Sequence, residues 1–389
     1  MTSSGSNPEA TPLWRDSRFW RIALQVLVIA IVVVVAMIML SNLNRNLTQL
    51  GRRFEFSFLW NRAGFNIGES LIPYQVNDTY FWAFFVGIVN SIRLVLVCFV
   101  ITTVIGIVAG IASFSDNWLL RKLNVFYVEI VRNTPVLLQL VFWYFVVFFG
   151  LSQNAQVAQL PGSVMVSKKG IWLPWPVNTP QAWISGTVII GLAIAAFLLW
   201  HWRIRVMEQQ GASGQPQQFA LMGVGAIALL IFIFGLGWEF PKVDGTNVNG
   251  GLRLSLEYAA MLMGLSFHKG AFIAEIVRAG IQSVSKGQWE AARALGLHTG
   301  IAMRLVVFPQ ALRVIIPSLN SQYITLTKDS SLALAIGYPD TFATAQTTLN
   351  QTGRAVEVIL LIVATYLTIN LLTSIVMNVL NRAVQIKER

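Results

Sequence analysis

Charge is what this sequence lacks most. Of 389 residues only 12% are Asp, Glu, Lys or Arg, while 55% are hydrophobic and the mean hydropathy is +0.62. So few charges cannot cover the surface of a water-soluble protein of this length, and the same arithmetic excludes a disordered chain. Cysteine is almost missing: Cys98 is the only one, which excludes a disulfide-stapled scaffold. The 29 glycines follow no period, so a collagen-like class is excluded too. No His/Cys cluster offers a metal site, and no nucleophile and base stand in a recognisable arrangement. There is no G-x-x-x-x-G-K-[ST] phosphate loop. The formal charge of +11 does not point to nucleic acid as a partner, because basic residues never run beyond two in a row. In an apolar chain that excess marks basic loops at the surface of a lipid bilayer.

What is present is a series of long uncharged runs. About 20 apolar residues rising about 1.5 Å each cross a hydrocarbon core of about 30 Å. The reading is therefore an all-α integral membrane protein of about eight transmembrane helices. Ile22 to Leu40 is the cleanest span, preceded by Arg15, Arg18 and Arg21. It is too long for a signal peptide and ends in Ser41-Asn42-Leu43-Asn44-Arg45 without a small-residue cleavage site, so it is kept as an anchor. The second span covers Phe81 to Phe114, with Arg93 marking tilt or an interfacial entry. Between Arg132 and Lys168 lie 35 uncharged residues, read as one span, Val136 to Leu151, followed by a loop. Ala182 to Trp202 and Phe219 to Trp238 form a hairpin whose Trp183, Trp200, Trp202 and Trp238 sit at the ends, where indole rings favour the interface. Ser255 to Val277, Leu312 to Gly337 and Val358 to Val379 complete the eight.

Eight crossings put both termini on one side. With the N-terminus cytoplasmic, fifteen of the 28 Lys and Arg fall on that side and nine on the other, although Arg45, Arg52, Arg53 and Arg62 all lie in the first outer loop. The positive-inside rule thus favours cytoplasmic termini.

The polar stretch after the sixth span carries the most information. Ser285 followed by Gln288 predicts a helix start of the capping-box type, and Gly296 a left-handed stop. The expected product is a short helix from Lys286 to Leu295. Ala291, Ala292 and Ala294 give it a low profile that another protein's surface can approach closely. Glu290 and Arg293 supply charged contacts and are spaced to pair with each other.

The pattern Glu290-Ala291-Ala292, three residues, Gly296, nine residues, Val306, one residue, then Phe308-Pro309 resembles the EAA loop of ABC importer permeases. It departs only at Val306 and Phe308, where Ile and Leu are usual. Three further stretches look like the polar amino-acid branch of that family: Tyr127 to Pro135 with Leu137 to Leu140, Glu275 to Ile281, and Leu326 to Leu332. The resemblance covers the second and third spans and everything from about Leu252 to Arg389. It implies a type I importer permease with a five-helix core, to which this chain adds an N-terminal helix and an inserted helical hairpin. The implied organisation is residues 1–80 as tail, first span and outer loop, 81–151 as the first part of the core, 152–251 as inserted loop and hairpin, and 252–389 as the second part with the EAA loop at about 282–309. The insertion, with its Lys168-Lys169-Gly170-Ile171-Trp172-Leu173-Pro174 outer loop, is similar to the general L-amino-acid permease subgroup.

That resemblance implies a bacterial inner-membrane permease subunit of an ATP-driven amino-acid importer, not itself an enzyme. ATP and Mg would sit on separate ATPase subunits, an extracytoplasmic amino-acid-binding protein would deliver substrate, and a second permease, a homologue or a second copy, would complete the path. No cofactor is expected on this chain. Gln288, Trp289, Glu290, Ala291, Ala292, Arg293 and Gly296 are the expected ATPase-coupling residues. Lys328 and Asp329 interrupt an apolar segment, where ionisable groups are costly unless paired or wet. A zwitterionic substrate suits them: Asp329 would face its ammonium, with Thr327, Ser330, Ser331 and Lys328 for its carboxylate, and Gln139 is a lesser candidate for lining the path. The plainer reading is that Lys328 and Asp329 sit at a membrane boundary and orient the segment. Asn133, Thr134 and Pro135 read as a helix break and restart, and Pro309 as architecture. Glu275 and Arg278, three apart, read as a mutual pair, and His268 and Lys269 as uninformative. A different class, an ion-coupled secondary transporter or channel using Lys328, Asp329 and Glu275, fits the same charges but leaves the EAA-spaced loop unexplained.

Overall fold

The computed structural model describes residues 17–49, 51, 53–151, 157–210, 214–245 and 247–384. The terminal tails, with Arg15 and the last five residues, lie outside the described residues, as do Arg52 and Ser152. The chain forms two compact units, Met1–Asn61 and Arg62–Arg389. The first is dominated by α1 (Ser17–Gln49), apolar on all sides with no buried stripe, the pattern of a helix whose partner is lipid.

The second unit contains α2 (Tyr80–Ala112), α3 (Trp118–Asn133) and α4 (Val136–Val141), the last widening into a π-helical turn at Phe142–Phe149. The hairpin is α5 (Pro180–Gln210) and α6 (Gln215–Leu230, continued by a π-turn at Ile231–Gly235). After it come α7 (Leu256–Gln282), the short α8 (Lys286–Ala294), α9 (Thr299–Ala302) with a π-turn at Met303–Val307, α10 (Phe308–Asp329) running into a 3-10 turn at Ser330–Ile336, α11 (Thr341–Thr352) and α12 (Ala355–Val384). Among the described residues seven helices are long and apolar enough to cross a membrane, and the bent pair α3 and α4 makes an eighth. All eight expected spans are found.

Two of them differ in shape from the expectation. The third is not a straight helix over Val136 to Leu151: it is entered through α3, which is amphipathic and bent from α4 by 110°. The bend follows from Pro135, whose ring keeps Thr134 extended at φ −107°, ψ 131°, so α3 stops at Asn133. Pro135 itself is the residue before the restarted helix rather than part of its first turn. The seventh span is a composite that begins at Thr299, with Pro309 just after the π-turn at Met303–Val307. It ends at Gly337, held at φ +81°. Beyond it, α11 is a short helix too polar to span, capped by Asp340, whose Oδ1 accepts the Ala343 N–H at 2.8 Å.

The core is the parallel pair α2 and α7. Gly106 lies against Ile273, Gly110 against Val277 and Gly270 against Ile105, close enough that a Cβ at any of the three would collide. Gly280 of α7 meets Ile315 of α10 in the same way. The all-α description holds for the spans, but the loops add β-structure that the sequence reading did not foresee. The strands β1 (Ala158–Leu160), β2 (Val164–Ser167) and β3 (Gly170–Leu173) form an antiparallel sheet with β8 (Leu252–Leu254), directly ahead of α7. Two smaller ladders pair β4 (Trp175–Pro176) with β5 (Trp238–Glu239) and β6 (Lys242–Asp244) with β7 (Asn247–Asn249). The β3 to β8 pairing ties the insertion to the core. Bundle ends therefore differ: a sheet face, where α2, α7 and α12 begin, and a short-helix face, where α7 ends and α8 lies.

Candidate functional site

On the short-helix face, α8 runs from Lys286 to Ala294, one residue shorter than expected. Its N-cap is Ser285, yet the Ser285 side chain makes no capping bond, which corrects the expected capping box. The Gln288 side chain turns instead toward α10 and accepts from Gln310 Nε2 at 3.1 Å. The stop is as expected: Gly296 sits at φ +73°, and the N–H groups of Gly296 and Leu297 close on the carbonyls of Arg293 and Ala292. Buried Ala292 and half-buried Trp289 fasten one side of α8; Trp289 packs on a core of Ile273, Val277, Val307 and Ala311. The other side presents Glu290, Ala291 and Arg293 to the exterior. Glu290 and Arg293 do not pair with each other or with any other described residue, a second correction. Both charges face the exterior.

Midway along α7 stands Lys269, 4% exposed, its Nζ 2.6 Å from Asp329 Oδ2 at the end of α10. Lys269, uninformative in the sequence, is here one half of an ion pair. An ammonium buried halfway along a 27-residue membrane-spanning helix has to find an anion. Asp329 thus answers to Lys269, while its neighbour Lys328 is exposed and has no ion-pair partner among the described residues. The hydroxyls expected to serve a substrate carboxylate are committed to their own helix: Thr327 donates to the Tyr323 carbonyl, Ser330 to Thr327 and Ser331 to Lys328. Gln139 reaches the same centre from α4. Its Nε2 donates to the carbonyls of Val131 and Thr134 at 2.8 and 3.0 Å and lies 3.1 Å from His268 Nδ1. Asn133 and Thr134 donate to Glu129 and Ile130, so the break in the third span is satisfied by its own side chains, and Gln139 ties it to His268.

Charges elsewhere are also paired. Glu275 and Arg278 form the expected pair, joined by Arg132 at 3.7 Å. Arg93, read as an interfacial residue, is bound by Glu69 at 2.6 Å and lies 4.1 Å over the Tyr258 ring. Glu69 was not singled out; it lies in a loop whose return to α2 no local pattern announces. Asp340, outside the spans and fully buried, accepts from Tyr366 at 3.1 Å, and burial pushes its carboxyl up to about 6.

A family model described as "binding-protein-dependent transport system inner membrane component" matches residues 219–386. Relatives extend over nearly the whole chain. It is 40% identical to a putative amino-acid ABC transporter permease, YhdX of Escherichia coli, across 100% of this chain and 98% of that one. The general L-amino acid transport system permease AapQ of Rhizobium johnstonii is 39% identical across 96% and 94%. The glutamate/glutamine/aspartate/asparagine transport system permease BztB of Rhodobacter capsulatus is 36% identical across 96% of each chain.

Proposed function

The chain belongs to the binding-protein-dependent transport system inner membrane components, and from that premise we propose that it is the permease subunit of an ATP-driven importer of amino acids. It works with ATPase subunits that carry ATP and Mg, an extracytoplasmic amino-acid-binding protein, and a second permease that is a homologue or a second copy. The short-helix face is cytoplasmic, in accord with the excess of Lys and Arg on that side, and both termini lie there. The sheet face is extracytoplasmic.

The observation that carries this reading is the Lys269–Asp329 pair at the centre of the bundle. An amino acid brings one ammonium and one carboxylate, so it can replace this pair charge for charge without leaving an ion uncompensated in the membrane. Opening and closing around it needs work from outside the chain, which has no phosphate loop. Exposed Glu290 and Arg293, on a helix seated by Trp289 and stopped by Gly296, suit a groove on an ATPase whose two states contact them differently.

The test is uptake of labelled amino acids into proteoliposomes holding this chain with its ATPase and second permease. Uptake should require ATP on the α8 side and loaded binding protein on the other. Uptake driven by an ion gradient without ATP would establish the secondary-transporter class instead.

A further inference from the structure

The sheet face holds a cavity of about 270 Å³ lined by residues of both charge signs. Lys168 and Lys169 come from the turn between β2 and β3, and Arg253 from β8. Against them stand Glu69 and Glu257, with Ser255 between. These charges are not equally free. Glu69 is committed, since it pairs with Arg93 and accepts the Ser255 N–H at 3.3 Å. Glu257 accepts one hydrogen bond, from the Tyr144 hydroxyl at 2.9 Å, and has no cation partner among the described residues. Lys169 donates to the neutral Asn247 side chain at 2.5 Å, Arg253 Nε donates to the Lys169 carbonyl at 2.9 Å, and Lys168 makes no ion pair. Three cations therefore share the cavity with one carboxylate that nothing neutralises.

We propose that this cavity is an entry site for acidic amino acids, with Glu257 receiving the α-ammonium and Arg253, Lys168 and Lys169 the two carboxylates. Size and charge agree: the volume lies just under the about 300–1,000 Å³ of drug-sized sites, and a ligand with two carboxylates and one ammonium, net charge −1, meets an excess of cations over one anion. Position agrees as well. Glu257 and Lys269 lie on the same helix, so the cavity stands about 18 Å along α7 from the midplane pair at about 1.5 Å per residue. Its wall includes Gly337 and Pro339, which end the 3-10 turn that follows Asp329. Both elements that hold the midplane pair thus reach the cavity. The proposal rests on the amino-acid reading above and sharpens it to a side-chain class.

Cys98, the only cysteine in the sequence, is buried, so Gly68→Cys, at the cavity wall where an added side chain meets nothing within 4 Å, adds a single addressable thiol to this chain without removing a charge from the site. In the purified transporter without binding protein, glutamate at about twice its dissociation constant should slow modification of that thiol by a neutral maleimide about threefold. Glutamine should protect less, and adding Arg253→Gln should remove the protection. Equal protection by glutamate, glutamine and sodium chloride at matched ionic strength would overturn the proposal, as would protection that appears only when binding protein is added. Glutamate protection without ATP-driven uptake would retain this site and discard the importer reading; uptake without protection would do the reverse.

Discussion

The α5–α6 hairpin and α7 belong to the same unit and invert the rule that governs soluble cores. The hairpin helices are the more apolar, yet their central stretches are unburied, whereas α7 carries Glu257, His268, Lys269, Glu275 and Arg278 and is mostly buried. Lipid is as apolar as leucine, so burying the hairpin gains nothing. A polar helix is different: its charges need partners, and partners are found only inside the bundle. Close packing follows, because glycines on α2 and α7 let backbones approach, while Gly186 and Gly191 of α5 and Gly223 and Gly225 of α6 face open space. For α7 the sparse charges, and for α2 the glycines packed against it, account for a central place that apolarity alone does not give the hairpin.

The sharpest way to break that contrast is to remove the central charge. Lys269→Met leaves Asp329 as an uncompensated buried anion, a loss of about 3–5 kcal/mol. Little assembled transporter should be recovered by size-exclusion chromatography, and uptake should fall by about 100-fold or more. The double variant Lys269→Met, Asp329→Asn should recover assembly but not uptake, because the pair's charges are then gone from both states. Recovered uptake in that double variant would show that the pair is only structural.

A change on α8 should separate coupling from folding. Glu290→Lys reverses a charge that has no partner within the chain, and Gly296→Arg forces a side chain into the left-handed region at a cost of about 1–2 kcal/mol. The protein should assemble normally while stimulation of the ATPase by loaded binding protein falls about tenfold, the loss of roughly one charge-assisted contact. Wild-type stimulation and uptake would remove α8 from the coupling path.

The two sets of glycines allow a smaller comparison. Gly106→Val would drive a side chain into Ile273 and should cost about 1–3 kcal/mol, seen as a lower unfolding temperature in detergent. Gly191→Ala meets nothing within 4 Å and should be neutral or stabilising by up to about 1 kcal/mol. Equal effects at both positions would mean that α2 and α7 are not the tight pair described here.

The same contrast explains what could be read in advance. Spans were legible because twenty apolar residues have few alternatives, the break at Thr134 because proline constrains its predecessor, and the end of α8 because Gly296 tolerates φ +73°. The ion pair of Lys269 was not legible, since it depends on α7 meeting α10 sixty positions later, and no local pattern encodes that choice. Nor was it legible that Lys328 and Asp329, adjacent in sequence, point to different surroundings because the helix turns through about 100° per residue. The sheets escaped notice because strands of two to four residues carry too little alternation to stand out from a loop.

Asp340 tests burial of charge on the sheet face, away from the bundle centre, through an effect that only a change of pH reveals. Its carboxyl is raised from 3.8 to about 6 because it is fully buried, although the Ala343 N–H and the Tyr366 hydroxyl partly offset the cost. The folded state therefore holds this proton where the unfolded chain has released it. Its contribution to stability is fully present below about pH 4 and is lost as pH rises through about 6, a change on the order of 3 kcal/mol. Asp340→Asn keeps a side-chain oxygen to cap α11 but cannot titrate. Across pH 4 to 7 the difference in unfolding temperature between wild type and this variant should shift in the variant's favour by a few degrees, as expected for about 1–3 kcal/mol in a chain of this size. A difference that stays flat across that range would mean that Asp340 is ionised throughout, and that Tyr366 and the start of α11 hold it as well as water would.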